Sequence, residues 1–174
     1  MDFLNLAKSR ESTRHYVKTP VAREKILQCL DAARFAPSAC NSQPWKFVVV
    51  DDERLLEQLR PLLQDEILPI NRFTRNCTAF LAVVEEETHI ADKQKFAPFD
   101  LGLAVENFCL QAEAMDLGTC IIGWFQEDKI KELLQVPEER RIRVMVAVGK
   151  KEDHPQREKV RKSLEETVCF NCYE

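Results

Sequence analysis

The sequence predicts a domain that mixes helices with a buried sheet, and three observations carry that expectation. Four short apolar runs, at 46–50, 79–85, 119–122 and 142–148, have the length and apolar character of buried strands. Segments at 21–35, 52–64, 96–115 and 126–134 carry apolar residues at helical spacing. A chain of 174 residues, 45% hydrophobic and 31% charged, suits one domain with a real core. A three-layer α/β sheet and an α+β sheet both fit this order, and periodicity does not choose between them.

The elements follow in order. Residues 2–9 read as a short helix with Phe3, Leu4 and Leu6 apolar. The next stretch, SRESTRHY at 9–16, is polar and cationic, with Arg10 and Arg14 flanking Ser12. Two guanidiniums and a hydroxyl so close suit a phosphate gripped from several sides; the same composition suits a solvated segment. The helix at 21–35 has Thr19 as its cap and Pro20 just inside. Its apolar face is Ile26, Leu27, Leu30 and Ala33, and Pro37 stops it. Pro37, Ser38, Ala39, Cys40, Asn41, Ser42, Gln43 and Pro44 then make a stiff, polar loop opening onto the strand at 46–50. Such a loop suits a planar ligand, and equally a plain connection.

The helix at 52–64 has LLEQL as its apolar core, and 79–85 is the second strand. On the helix at 96–115, Leu101, Val105, Phe108, Cys109, Ala112 and Met115 read as core. TCIIGWF at 119–125 is a strand running into Gly123, where a missing side chain leaves room for a ligand or for a tight turn. Trp124 and Phe125 line a pocket or pack. After the helix at 126–134, the strand at 142–148 is nearly all apolar and therefore central. A second basic set, Arg157, Lys159, Arg161 and Lys162, fits an anion site or a charged tail. The tail turns apolar at Val168, Cys169 and Phe170, which suits an arm or strand at 167–174 packed on a partner subunit.

Several classes are excluded. A net charge of −4 with interspersed signs argues against general nucleic-acid binding. MDFLNLAKSR does not read as a signal peptide, and no apolar run is long enough for a bilayer. Seven cysteines without an export signal point to the cytoplasm. The four glycines build neither a GxGxxG nor a GxxxxGK[ST]. His15, His89 and His154 make no metal-ligand spacing, and Cys169-x-x-Cys172 lacks a second pair.

Four segments in order resemble the FMN-dependent nitroreductase family, in a compact form: SRESTRHY, FAPSACNSQPWKFVVV, LGTCIIGWF and KVRKSLEE. The resemblance spans about Arg10 to Glu166. It implies one α+β domain over 1–174, with a central, mostly antiparallel sheet wrapped by helices, paired as a homodimer that holds two FMN at its interface. Arg10, Ser12 and Arg14 would hold phosphate and ribityl groups, and Lys159 and Arg161 would complete the phosphate site. Pro37, Ser38, Ala39 and Asn41 would meet the flavin from the other subunit, with Gln43 supporting the loop. The Gly123 N–H would face the redox-active edge beside Ile122. Asn71 is placed at the pyrimidine edge, with Arg72 and Arg75 as alternatives. Ser163 stands where the family often has proline.

The implied activity is ping-pong hydride transfer from NADH or NADPH through FMN to a flat acceptor such as a nitroaromatic or quinone, with no catalytic side chain and no metal. A flavoprotein dehalogenase or dehydrogenase, or a flavin-binding module without turnover, are the alternatives.

Overall fold

The computed structural model describes residues 2–65, 67–88 and 95–173. Its elements are α1 (Phe3–Ser9), β1 (Tyr16–Val17), α2 (Arg23–Arg34), β2 (Trp45–Val50), α3 (Glu53–Leu62), β3 (Ala79–Glu85), α4 (Ala97–Ala114), β4 (Leu117–Ile122), α5 (Glu127–Leu134), β5 (Arg141–Lys151) and α6 (Leu164–Thr167). One-turn 3-10 segments lie at Ala39–Asn41 and Arg72–Asn76. His89 lies outside the described residues.

β3 is buried at six successive positions, so both of its faces need cover. Ala79, Leu81 and Val83 join one core with Ile26, Cys29 and Ala33 of α2 and Leu101, Val105 and Phe108 of α4. Phe80, Ala82 and Val84 join the other, with Leu56 and Leu59 of α3 and Ile130 of α5. The period-two alternation of strand side chains thus sandwiches the sheet between two helix pairs. β5 pairs antiparallel with β1, β3 and β4, and β3 pairs antiparallel with β2. The sheet is therefore antiparallel in its ladders, with β5 central: an α+β fold laid out in three layers.

Three sequence expectations need correction. Thr19 does not cap α2. That helix starts at Arg23, its N-cap Ala22 makes no side-chain bond, and the Thr19 carbonyl instead accepts from the Thr78 hydroxyl at 3.0 Å. Leu27 is 62% exposed, and Cys29 takes its place against the sheet. The reason is angular: Ile26, Cys29 and Ala33 fall on one stripe at 3.6 residues per turn, while Leu27 is turned about 100° from Ile26. β1 was not anticipated, because two residues are too few to carry a period.

Candidate functional site

The polar stretch 9–16 is bound as a strap against the sheet. The Thr13 N–H donates to the Thr119 carbonyl at 2.8 Å, and Ser12 forms a parallel bridge with Thr119 of β4. Two glycines make the groove it lies in. Gly118 and Gly149 are register partners across β4 and β5. A Cβ on Gly118 would come within 2.6 Å of Thr13 Cγ2, and one on Gly149 within 2.7 Å of Tyr16 Cδ1. Both approaches are too close for any side chain, so this depression requires glycine.

The segment after β5 closes over the strap. Gln156 Nε2 donates to the Ser9 carbonyl at 2.6 Å, and an Arg157 NH2 group donates to the Ser12 carbonyl at 2.7 Å. The Lys159 ammonium donates to the carbonyls of Lys8 and Arg10, and to that of Ala7 at 3.4 Å. These acceptors sit at and just past the last turn of α1, the negative end of a helix, where a cation is favoured. Desolvation holds the Lys159 ammonium below its usual range, helped by the charges of Arg10 and Arg161.

Arg10, Ser12, Arg157, Lys159 and Arg161 therefore line one cleft of about 280 Å³, with Glu11, Glu158 and Val160. Four of its lining residues are cations drawn from opposite ends of the chain. Arg10 is also tied to α4, with its Nε 3.5 Å from Glu106 Oε1. Beneath the strap, burial raises the Cys120 thiol, and Arg14, Arg157, Ser12 and Arg10 act in the other direction.

From Thr119 to Gly123 the strand covers roughly 13 Å. The Arg14 guanidinium stands 5.9 Å from the Phe73 ring centroid and 3.4 Å from the Ser12 carbonyl. At the far end Asn71 Nδ2 donates to the carbonyls of Trp124, at 3.2 Å, and Leu63, at 2.9 Å. Apart from its chain neighbours, no atom of the described residues lies within 4 Å of where a Cβ on Gly123 would stand. Arg72 and Arg75 line a different cleft, with Pro61, Gln126 and Lys129. Of the three residues left open by the sequence, Asn71 has the side-chain contact with the glycine turn. Ile122, beside Gly123, is 2% exposed and packs in the core, and strand alternation turns Ile121 outward instead, at 43%. Trp124 is exposed and Phe125 packs against the α3/α5 core.

The loop 37–43 forms a second group. Cys40, Asn41 and Gln43 all hold left-handed backbone, with φ of 50°, 55° and 47°. Such residues cost on the order of 1–3 kcal/mol each and persist only where other contacts fix them. Here the Gln43 N–H donates to Ser38 Oγ at 3.0 Å, and Gln43 Nε2 donates to the Asn41 carbonyl at 3.3 Å. The Ala39 N–H donates to Asp100 Oδ2 of α4 at 3.1 Å. Asp100 is 3% exposed, a buried carboxylate that sequence reasoning passed over. Pro37 is exposed. The residues lining the cationic cleft include none of this loop. The structure thus gathers Arg10, Ser12, Lys159 and Arg161, sets Arg14 against Phe73 and Asn71 against the turn of Gly123 and Trp124, and leaves Pro37, Ser38, Ala39, Asn41 and Gln43 outside the cationic cleft. The cationic cleft suits an anion such as a phosphate.

The family model for the Nitroreductase family matches residues 7–72 and 68–150. The chain belongs to that family. It is 28% identical over 159 residues to a protein of Archaeoglobus fulgidus provisionally named NADH dehydrogenase/NAD(P)H nitroreductase, covering 86% of each chain. It is 28% identical over 172 residues to iodotyrosine deiodinase of Thermotoga neapolitana, covering 86% of this chain and 88% of that one. Among solved structures, an oxidoreductase containing FMN superposes with a TM-score of 0.84 at 25% identity, covering 100% of this chain and 93% of the other.

Proposed function

We propose that this chain is an NAD(P)H-dependent flavin oxidoreductase. The cationic cleft of Arg10, Ser12, Lys159 and Arg161 would hold the phosphate of FMN, and the Gly123 turn would meet its ring. The observation that carries this reading is the convergence of Arg10, Ser12, Lys159 and Arg161 on one cleft from positions about 150 apart in sequence. A solved relative that contains FMN supports the choice of ligand. Relatives named for NAD(P)H support the donor.

Bound FMN supplies two-electron hydride chemistry. The chain supplies the rest. Arg10 and Arg161 neutralise the phosphate, Ser12 donates to it, and Lys159 holds α1 and the strap in place. Arg14 lies over Phe73 and faces the ribityl span. Asn71, pinned by two carbonyls, fixes the turn beside the ring. The open Gly123 lets a backbone N–H reach the ring edge, where no strong general base is needed. One exposed face, used by donor and then acceptor, makes the kinetics ping-pong.

The loop 37–43 comes to the ring from a second copy in a homodimer. Exposed apolar side chains on α1 (Phe3, Leu4) and in the tail (Val168, Phe170) are part of that contact, with 167–174 as an arm. The protein works in the cytoplasm. Flat nitroaromatics and quinones fit the slot. The deiodinase relative keeps reductive dehalogenation as a second acceptor class.

An absorption spectrum of the purified protein, followed by NADH and NADPH oxidation with a quinone, a nitroarene and a haloaromatic, tests the reading. Yellow protein and donor-dependent turnover are expected; colourless protein that takes up no FMN overturns it, and yellow protein without turnover leaves a binding module. Arg14→Ala is expected to weaken FMN by about 1.5–3 kcal/mol, the scale of a charge-assisted hydrogen bond. Fluorimetric titration checks it.

A further inference from the structure

Glu11 lies within the strap, lines the cationic cleft, and is 8% exposed. A buried carboxylate beside a phosphate site is at first sight a fault, since like charge repels an anion. Its partners explain it. Glu11 Oε2 accepts the backbone N–H of Arg157 at 3.4 Å and lies 3.6 Å from Arg157 Nε. Glu11 Oε1 is 3.5 Å from His154 Nε2. Arg157 in turn reaches the Ser12 carbonyl at 2.7 Å. One carboxylate therefore ties residues 154–157 to the strap at Glu11, between Arg10 and Ser12 on one wall and Lys159 and Arg161 on the other.

We infer that Glu11 is the positioning residue of the phosphate cleft, and that through Arg157 it gives the protein its preference for a phosphorylated flavin over the same flavin without phosphate. The inference rests on the FMN reading above. The two possible roles of Glu11 predict opposite signs. As a mere local charge, its removal strengthens binding of an anion. As the tie that fixes the cleft, its removal weakens phosphate binding although the site becomes more positive, because the phosphate-holding groups lose their spacing.

The experiment titrates apoprotein with FMN and with riboflavin, followed by flavin fluorescence, for the native chain and for Glu11→Gln. FMN affinity is expected to fall about tenfold, with riboflavin affinity unchanged. Tighter FMN binding would overturn the inference, and so would equal loss for both flavins, which marks general loosening. Arg157→Lys keeps the positive charge of the cleft but loses the guanidinium's reach to Glu11 and the Ser12 carbonyl; it carries the same expectation and, with its side chain half exposed, tests the tie if Glu11→Gln does not fold. If the native chain itself binds riboflavin as well as FMN, the cofactor reading fails and takes this inference with it. If the native preference is present and neither variant reduces it, the inference alone fails.

Discussion

The cationic cleft and the loop 37–43 are built in opposite ways. Bonds that close the cleft join residues 145 to 152 apart in sequence, such as Arg157 to Ser12 and Lys159 to Ala7. Most side-chain bonds within the loop join residues two to five apart, and one link, Ala39 to Asp100, anchors it to α4. The cleft is complete within one chain. The loop carries three left-handed residues and does not line that cleft. The proposed homodimer assigns the loop to a second copy of the chain.

The largest expected effect tests that division directly. A cleft-deficient variant, Arg10→Ala with Arg161→Ala, and a loop variant, Asn41→Ala with Ser38→Ala, should each lose most FMN-dependent turnover. Refolded together, they should regain activity, because a mixed dimer has one site with both halves intact. Recovery no greater than the sum of the separate variants would assign cleft and loop to the same subunit.

A smaller effect separates the two glycines of β4 and the turn beyond it. Gly118→Ala drives a Cβ into the β-branched Thr13, so it should lower stability by about 1–3 kcal/mol and displace the strap. Thermal melting should record a drop of several degrees. Gly123→Ala meets open space and should leave the melt within about 0.5 kcal/mol of native while weakening flavin binding. Equal melting losses in both would contradict the groove.

Asp100→Asn keeps an acceptor for the Ala39 N–H but removes its charge. A stability loss of about 0.5–1.5 kcal/mol is expected in urea titration, with a larger relative loss in turnover than in FMN affinity. The reverse pattern would place the loop away from the reacting ring.

A separate effect, confined to alkaline pH, concerns thiols. Burial pushes Cys29 and Cys109 up to about 11, from near 9 in an unfolded chain. A raised pKa means that the folded state keeps its protons longer. Stability is therefore full below about pH 9 and falls as pH rises toward about 11. The urea midpoint should shift only on the alkaline side. Cys40 on the loop is exposed. It should react at once with a thiol reagent in dilute monomer, and more slowly where a second copy covers it.

Much of this protein was legible in its sequence. The runs at 79–85 and 142–148 read as buried strands, because apolar side chains at nearly all successive positions need cover on both faces. The local chemistry of Arg10, Ser12 and Arg14 and the polar, proline-bounded loop also showed in short windows. What stayed hidden was everything decided by distant partners. Leu27 and Cys29 differ by two positions on one helix, and only the sheet chose between them. Glu11 and Asp100 read as ordinary acids until folding placed Arg157 on one and the Ala39 amide on the other. Gly118 and Gly149 have no visible relation in the chain, yet their pairing across two strands is what lets the strap lie down. Sequence sets side-chain type and local period, which act over a few residues. Which charge is neutralised, and which glycine is needed, depends on contacts between segments far apart, and those exist only once the sheet has closed.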